Sequence, residues 1–92
     1  MGEKDDLNCI VIHARDNVAV ARVDIEAGGA VRPRPGESFP ALERIPCGHK
    51  VALVGIGMGE PVCKYGEIIG YATVDIAPGA LVHTHNLKGD EP

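Results

Sequence analysis

The strongest constraint in this sequence is a seven-residue unit, Ile-x-x-Gly-x-x-Val, which recurs four times. It occupies Ile25/Gly28/Val31, Ile45/Gly48/Val51, Ile56/Gly59/Val62 and Ile76/Gly79/Val82, separated by a long, a short and again a long interval. The shift that lays Ile25 on Ile56 also lays Ile45 on Ile76, which marks an internal duplication. Each unit predicts a hairpin: a β-branched residue ends one strand, a glycine-centred turn reverses the chain, and a second β-branched residue opens the return strand. Pro78-Gly79 suits a type II turn, with proline second and glycine at the positive-φ third position.

Composition fits that reading. The 92 residues suffice for one small domain, with 45 % apolar residues but only Phe39, Tyr65 and Tyr71 as aromatics. The core must therefore be built from Val, Ile, Leu and Ala, and the abundant Val and Ile favour strands. Twelve glycines and seven prolines call for many turns. No stretch has amphipathic helical periodicity, so the expected architecture is an all-β, hairpin-rich domain with internal pseudo-two-fold symmetry.

The net charge of −4 comes without a basic stripe or a set of stacking aromatics, which argues against nucleic acid as a partner. No apolar run approaches the ~20 residues that span a bilayer, and the acidic start lacks the features of a signal peptide. Cys9, Cys47 and Cys63 are odd in number and form no CxxC motif, so free thiols in a reducing cytoplasm are expected.

In chain order, residues 1–7 read as a disordered lead-in, 8–87 as the domain and 88–92 as a polar tail. Residues 8–14 and 18–23 are expected to be strands around an Arg15-Asp16-Asn17 turn. The stretch from Arg32 to Pro40 holds three prolines and reads as an extended surface loop or edge. Gly55-x-Gly57-x-Gly59 is followed by Pro61 and β-branched residues, not by a helix, so a tight hairpin fits better than a phosphate loop. Ile68 to Ile76 is the longest strand candidate, and Gly70 within it marks a bulge or a close backbone approach.

The polar residues with chemical potential are few. His83 and His85 lie two apart on an expected strand, so their side chains would share a face, able to ligate a divalent metal or move a proton. An exposed pair with neither role is the plain alternative. His49 and Lys50 follow a turn glycine where the other half of the duplication has Ala80 and Leu81. His13, Asp16 and Asn17 place an imidazole and a carboxylate near a turn, either for a polar ligand or for turn capping. Lys64 and Tyr65 offer a cation and a phenol. No nucleophile with its base, no carboxylate pair and no closed metal shell emerges, and the pattern reads as a polar-faced module that works with something larger.

Five stretches together carry a specific likeness: residues 13–21 (HARDNVAVA), 48–53 (GHKVAL), 64–66 (KYG), 69–72 (IGYA) and 75–86. In these the chain resembles the amino-terminal SAF domain of altronate and galactarate dehydratases, from about Ile10 to Leu87. The resemblance implies a β-clip fold and a role in removing water from a sugar acid. It further implies a large catalytic subunit as partner and a divalent metal, iron in the usual description, held mainly by that subunit. On this likeness His83 and His85 are the expected catalytic residues, and His13, Asp16, Asn17, His49, Lys50, Lys64, Tyr65 and Asn86 the expected substrate-binding ones. The small subunit of sulfolactate sulfo-lyase is the runner-up, ahead of a non-catalytic carbohydrate-binding or assembly module. Self-association into a homo-oligomer stays open. The proline-rich 33–40 segment departs from the family pattern.

Overall fold

The computed structural model describes residues 7–33 and 37–89. Among these there is no helix. Nine short strands run in the order β1 (Cys9–Ile10), β2 (Val18–Ala21), β3 (Ala30–Val31), β4 (Phe39–Pro40), β5 (Lys50–Ala52), β6 (Pro61–Lys64), β7 (Glu67–Ala72), β8 (Leu81–Val82) and β9 (Leu87–Gly89). They form a four-stranded sheet β1-β2-β5-β8, a pair β3-β4 and a three-stranded sheet β6-β7-β9, with every pairing antiparallel.

The repeated unit is what the core is made of. All four Ile and all four Val of the units are buried, and all four turn glycines have φ between 83° and 88°. In each unit a turn is closed by an N–H donating back to an earlier carbonyl: Gly29 to Glu26, His49 to Pro46, Glu60 to Gly57 and Ala80 to Ala77. Glycine stands third in each, where only a residue tolerant of positive φ fits.

The expected hairpin within a unit does not form. Ile25 exchanges backbone hydrogen bonds with Ile45, and Ile56 with Ile76, so units pair with each other. The reason lies in the turn glycine, whose N–H is spent outside its own unit. Gly28, Gly48, Gly59 and Gly79 donate to the carbonyls of Ala41, Ala21, Ala72 and Ala52, four alanines that are themselves buried.

The duplication extends to strand register. Ala30↔Pro40 and Val31↔Phe39 recur in the second copy as Pro61↔Tyr71 and Val62↔Gly70, and Ala19↔Val51 recurs as Lys50↔Val82. It extends to the core as well. One apolar cluster contains Ala21, Ile25, Val31, Ala41, Ile45 and Val51; the other contains Ala52, Ile56, Val62, Ala72, Ile76 and Val82. Cys9 and Ala19 complete the first and Val18 the second.

Three asparagines fasten the strands beside this core. Asn8 donates its amide to the Ala30 carbonyl and accepts from the Arg32 N–H. Asn17 brackets Val62 in the same way through Pro61 and Cys63, and Asn86 brackets Val82 through Leu81 and His83.

Several boundaries differ from the sequence reading. The first strand stops at Ile10 because Asp16 draws the N–H groups of Ile12 and His13 into a turn. Gly70 shows both expected features: a register shift lies opposite it, and a Cβ there would run into the Lys88 carbonyl. Lys88 and Gly89, assigned to the tail by composition, instead pair with Tyr71 and Gly70 in β9. Pro40 sits in the two-stranded β3-β4 pair, as an edge should allow. Residues 1–6 of the lead-in, 34–36 of the proline-rich segment and 90–92 of the tail lie outside the described residues.

Candidate functional site

The ten singled-out residues fall at two corners, on opposite faces of the four-stranded sheet. Side chains along β5 alternate, with Val51 entering the first cluster and Ala52 the second. Lys50 therefore shares the face of Ala52. His49, whose carbonyl accepts from the Ala21 N–H, shares that of Val51.

The first corner forms where the 12–17 loop meets the β6-β7 turn. Tyr65 and Gly66 connect these strands in left-handed conformations, with φ of 57° and 80°, as a two-residue primed turn requires. The His13 ring lies against Gly66, where an added Cβ would come within 2.8 Å of it. The Nδ1 of His13 accepts the Arg15 N–H at 3.1 Å, which places the proton of the neutral ring on Nε2 and leaves that edge as a donor. Asp16 accepts from Gly66 at 2.7 Å and from His13 at 3.1 Å. Burial alone would raise its carboxyl, but backbone N–H groups of Gly66, His13, Tyr65 and Ile12 outweigh that and hold it below the usual carboxylate range. Lys64 lies over the Tyr65 ring, 5.0 Å from its centroid. Lys50 is half-buried, and burial, followed by the charge of Lys64, lowers its ammonium below the ordinary lysine range. The described ion pairs include neither lysine.

The second corner is a histidine pair. Extending the register Lys50↔Val82 by one step sets His49 opposite His83. Their rings lie 4.8 Å apart between centroids, tilted by 56°. The Nδ1 of His49 is buried and has no hydrogen-bond partner among the described residues. The expected His83-x-His85 strand does not exist: β8 ends at Val82, and the Asn86 N–H bonds the His83 carbonyl at 3.0 Å to close a turn. His85 is exposed on that turn, and His83 faces His49 instead.

Polar side chains thus divide by what they already hold. Asn17, Asn86 and Asp16 are committed to backbone groups. His13, Lys50, Lys64 and Tyr65 at one corner, and His49, His83 and His85 at or near the other, retain groups able to meet a ligand. Cys9 is buried, and desolvation pushes its thiol up to about 11, which suits a packing role. Sequence reading missed Asn8; its match to Asn17 (Asn8-Cys9-Ile10-Val11 against Asn17-Val18-Ala19-Val20) is the signal that could have found it.

Among the described residues no three His, Cys, Asp or Glu side chains gather as a metal shell. For a divalent ion, the orphaned Nδ1 of His49 beside His83 makes a fit for two ligands and not for a full set. Among the described residues no helix is long and apolar enough to cross a membrane.

Duplicated turn units with no helix among the described residues, and imidazoles and ammonium groups at open corners, define a small all-β module. The chain belongs to the altronate/galactarate dehydratase SAF domain family, whose model matches residues 7–90. It is 46 % identical over 79 residues to altronate dehydratase of Escherichia coli, an alignment covering 86 % of this chain and 16 % of that protein. It is 39 % identical over 75 residues to the Escherichia coli galactarate dehydratase (L-threo-forming), covering 79 % and 14 %. It is also 35 % identical over 88 residues to the (2R)-sulfolactate sulfo-lyase subunit alpha of Chromohalobacter salexigens, covering 89 % and 94 %. The chain thus spans about a sixth of the dehydratase and nearly all of the sulfo-lyase subunit.

Proposed function

We propose that this chain is the SAF module of a hydro-lyase acting on a sugar acid such as altronate or galactarate, cooperating with a larger catalytic partner. The observation that carries the reading is the chemistry of the two corners. Ammonium groups outside the ion pairs among the described residues suit an acid group, and imidazoles and a phenol suit hydroxyls. Lys50 and Lys64, across the sheet from His83 and His85, are placed to attract an acidic group of the partner rather than the carboxylate of a substrate held at the histidines. Loss of water requires a proton at the departing hydroxyl, and His83 and His85 are the side chains suited to deliver one near neutral pH. The partner supplies the base that removes the proton next to the carboxylate. A divalent metal, held mainly by that partner, would polarise a substrate oxygen.

A second reading rests on the likeness to a protein named as a sulfo-lyase subunit, 35 % identical over 88 residues. In that case the leaving group is sulfite and the partner a second lyase subunit.

The test is to isolate the chain from its native source under mild conditions, identify the large protein that accompanies it, and assay the reconstituted pair. Dehydration of altronate or galactarate only when this chain is present supports the first reading, and sulfite release from sulfolactate the second. A chain that purifies alone, with no effect on either reaction, defeats both. A His83→Ala, His85→Ala double variant working at full rate would remove the proton-delivery role.

A further inference from the structure

The imidazole pair at the second corner has a geometry that the proposed reaction does not explain. His49 and His83 lie far apart in the sequence, one in each copy of the duplication's second unit or just beyond it, and only the β5-β8 register brings them together. Buried polar atoms without a partner are rare in folded proteins, and one explanation for such an atom is a missing ion. The Nδ1 of His49 is such an atom.

We propose that His49 and His83 form a two-imidazole site for a divalent first-row transition ion, its other positions taken by oxygen ligands from water, substrate or partner; with an ion bound, His83 is a neutral ligand and proton delivery falls to His85. Imidazole is the neutral ligand suited to such ions. The spacing agrees. With metal–nitrogen bonds of about 2.0–2.1 Å, each ring centroid lies roughly 3.2 Å from the ion, so two neighbouring ligands have centroids about 4.5–5.2 Å apart over angles from octahedral to tetrahedral. The observed separation is 4.8 Å, and the rings are tilted by 56°, not stacked in parallel. His83 is exposed, so its ring can adjust as an ion enters. The ladder between β5 and β8 holds the two backbones in place, which keeps the ordering cost of the site low.

The assignment rests on this chain's own residues. Its test needs neither substrate nor partner, so its failure would leave the dehydratase reading standing. The whole chain, stripped with a chelator, is titrated with Zn²⁺ by calorimetry and heated with and without the ion. The expected result is one ion per chain and a Tm that rises with ion concentration, because an ion that binds only the folded state stabilises it. Both effects should vanish in His83→Ala and His49→Ala and persist in His85→Ala and His13→Ala. Exposed His83 can be replaced without opening the core, which guards against a folding failure at His49. Co²⁺ provides a readout on the unaltered chain, by selective paramagnetic broadening of the His49 and His83 ring signals. Absence of saturable Zn²⁺ binding up to millimolar concentrations overturns the proposal. So does undiminished binding by His83→Ala, or broadening confined to His13 or His85.

Discussion

Asn8, Asn17 and Asn86 do the same work at three places, each amide spanning a buried valine and bonding the backbone on both sides of it. Each carboxamide therefore replaces a neighbouring strand where none runs. Asn86 is 6 % exposed, so losing its side chain strands a donor and an acceptor away from water. We expect Asn86→Ala to lower stability by about 1–3 kcal/mol, seen as a lower urea midpoint at unchanged slope. An unchanged midpoint would show that the amide is dispensable to the fold. Asp16 makes a prediction in pH. Its folded-state carboxyl titrates below the usual value, so its contribution to stability is fully present above the unfolded pKa of about 3.9 and is lost as pH falls through the lower folded value. Asp16→Asn should therefore flatten the acid limb of a stability-against-pH curve and leave its shape near neutrality unchanged. These residues were hard to read in advance. An asparagine after a turn or a polar residue beside a histidine looks like surface chemistry, and only the three-dimensional partners show that the side chain is already occupied.

The seven-residue unit was legible because two physical demands fix it together. Burial requires a β-branched residue at each end, and the turn requires a residue at positive φ between them. What the unit pairs with was not legible, since Ile25 has no local feature that prefers Ile45 over its own Val31. The same limit applied to His83 and His85, where alternation suggested a strand but the Asn86 N–H closes a turn on the His83 carbonyl. Equal turns can nevertheless differ in tolerance. Gly28 and Gly79 have φ of 83° and 88°, but a Cβ on Gly28 meets nothing within 4 Å, whereas one on Gly79 strikes the Pro40 carbonyl. Gly28→Ala should cost about 1–2 kcal/mol, from the left-handed backbone alone. Gly79→Ala should cost clearly more, because the segment around Ala41 must also move. Chemical denaturation of the two variants side by side measures the difference, and equal losses would mean that the close approach at Gly79 relaxes freely.

Two apolar clusters built from duplicated units raise the question of whether the molecule is one folding unit or two. The strands answer it. Ala19 and Val51 face the first cluster, and their chain neighbours Val18 and Ala52 face the second, so β2 and β5 form a shared wall. Melting either cluster frees the wall of the other. The same arrangement separates the two corners: the histidine pair opens on one side of the wall, and Lys50 with Lys64 on the other. A ligand reaching both would need to wrap the edge of the sheet, and a larger partner could contact each from a different side. The shared wall also predicts strong cooperativity. Ile45→Val in the first cluster and Ile56→Val in the second remove one methylene each from enclosed sites, at about 0.5–1.5 kcal/mol apiece. Each should shift the whole unfolding transition without splitting it, and slowly exchanging amides in β2, β5 and β8 should lose protection together. A second transition in either variant, or hydrogen exchange that accelerates in one cluster alone, would mean that the halves unfold independently and that the wall does not couple them.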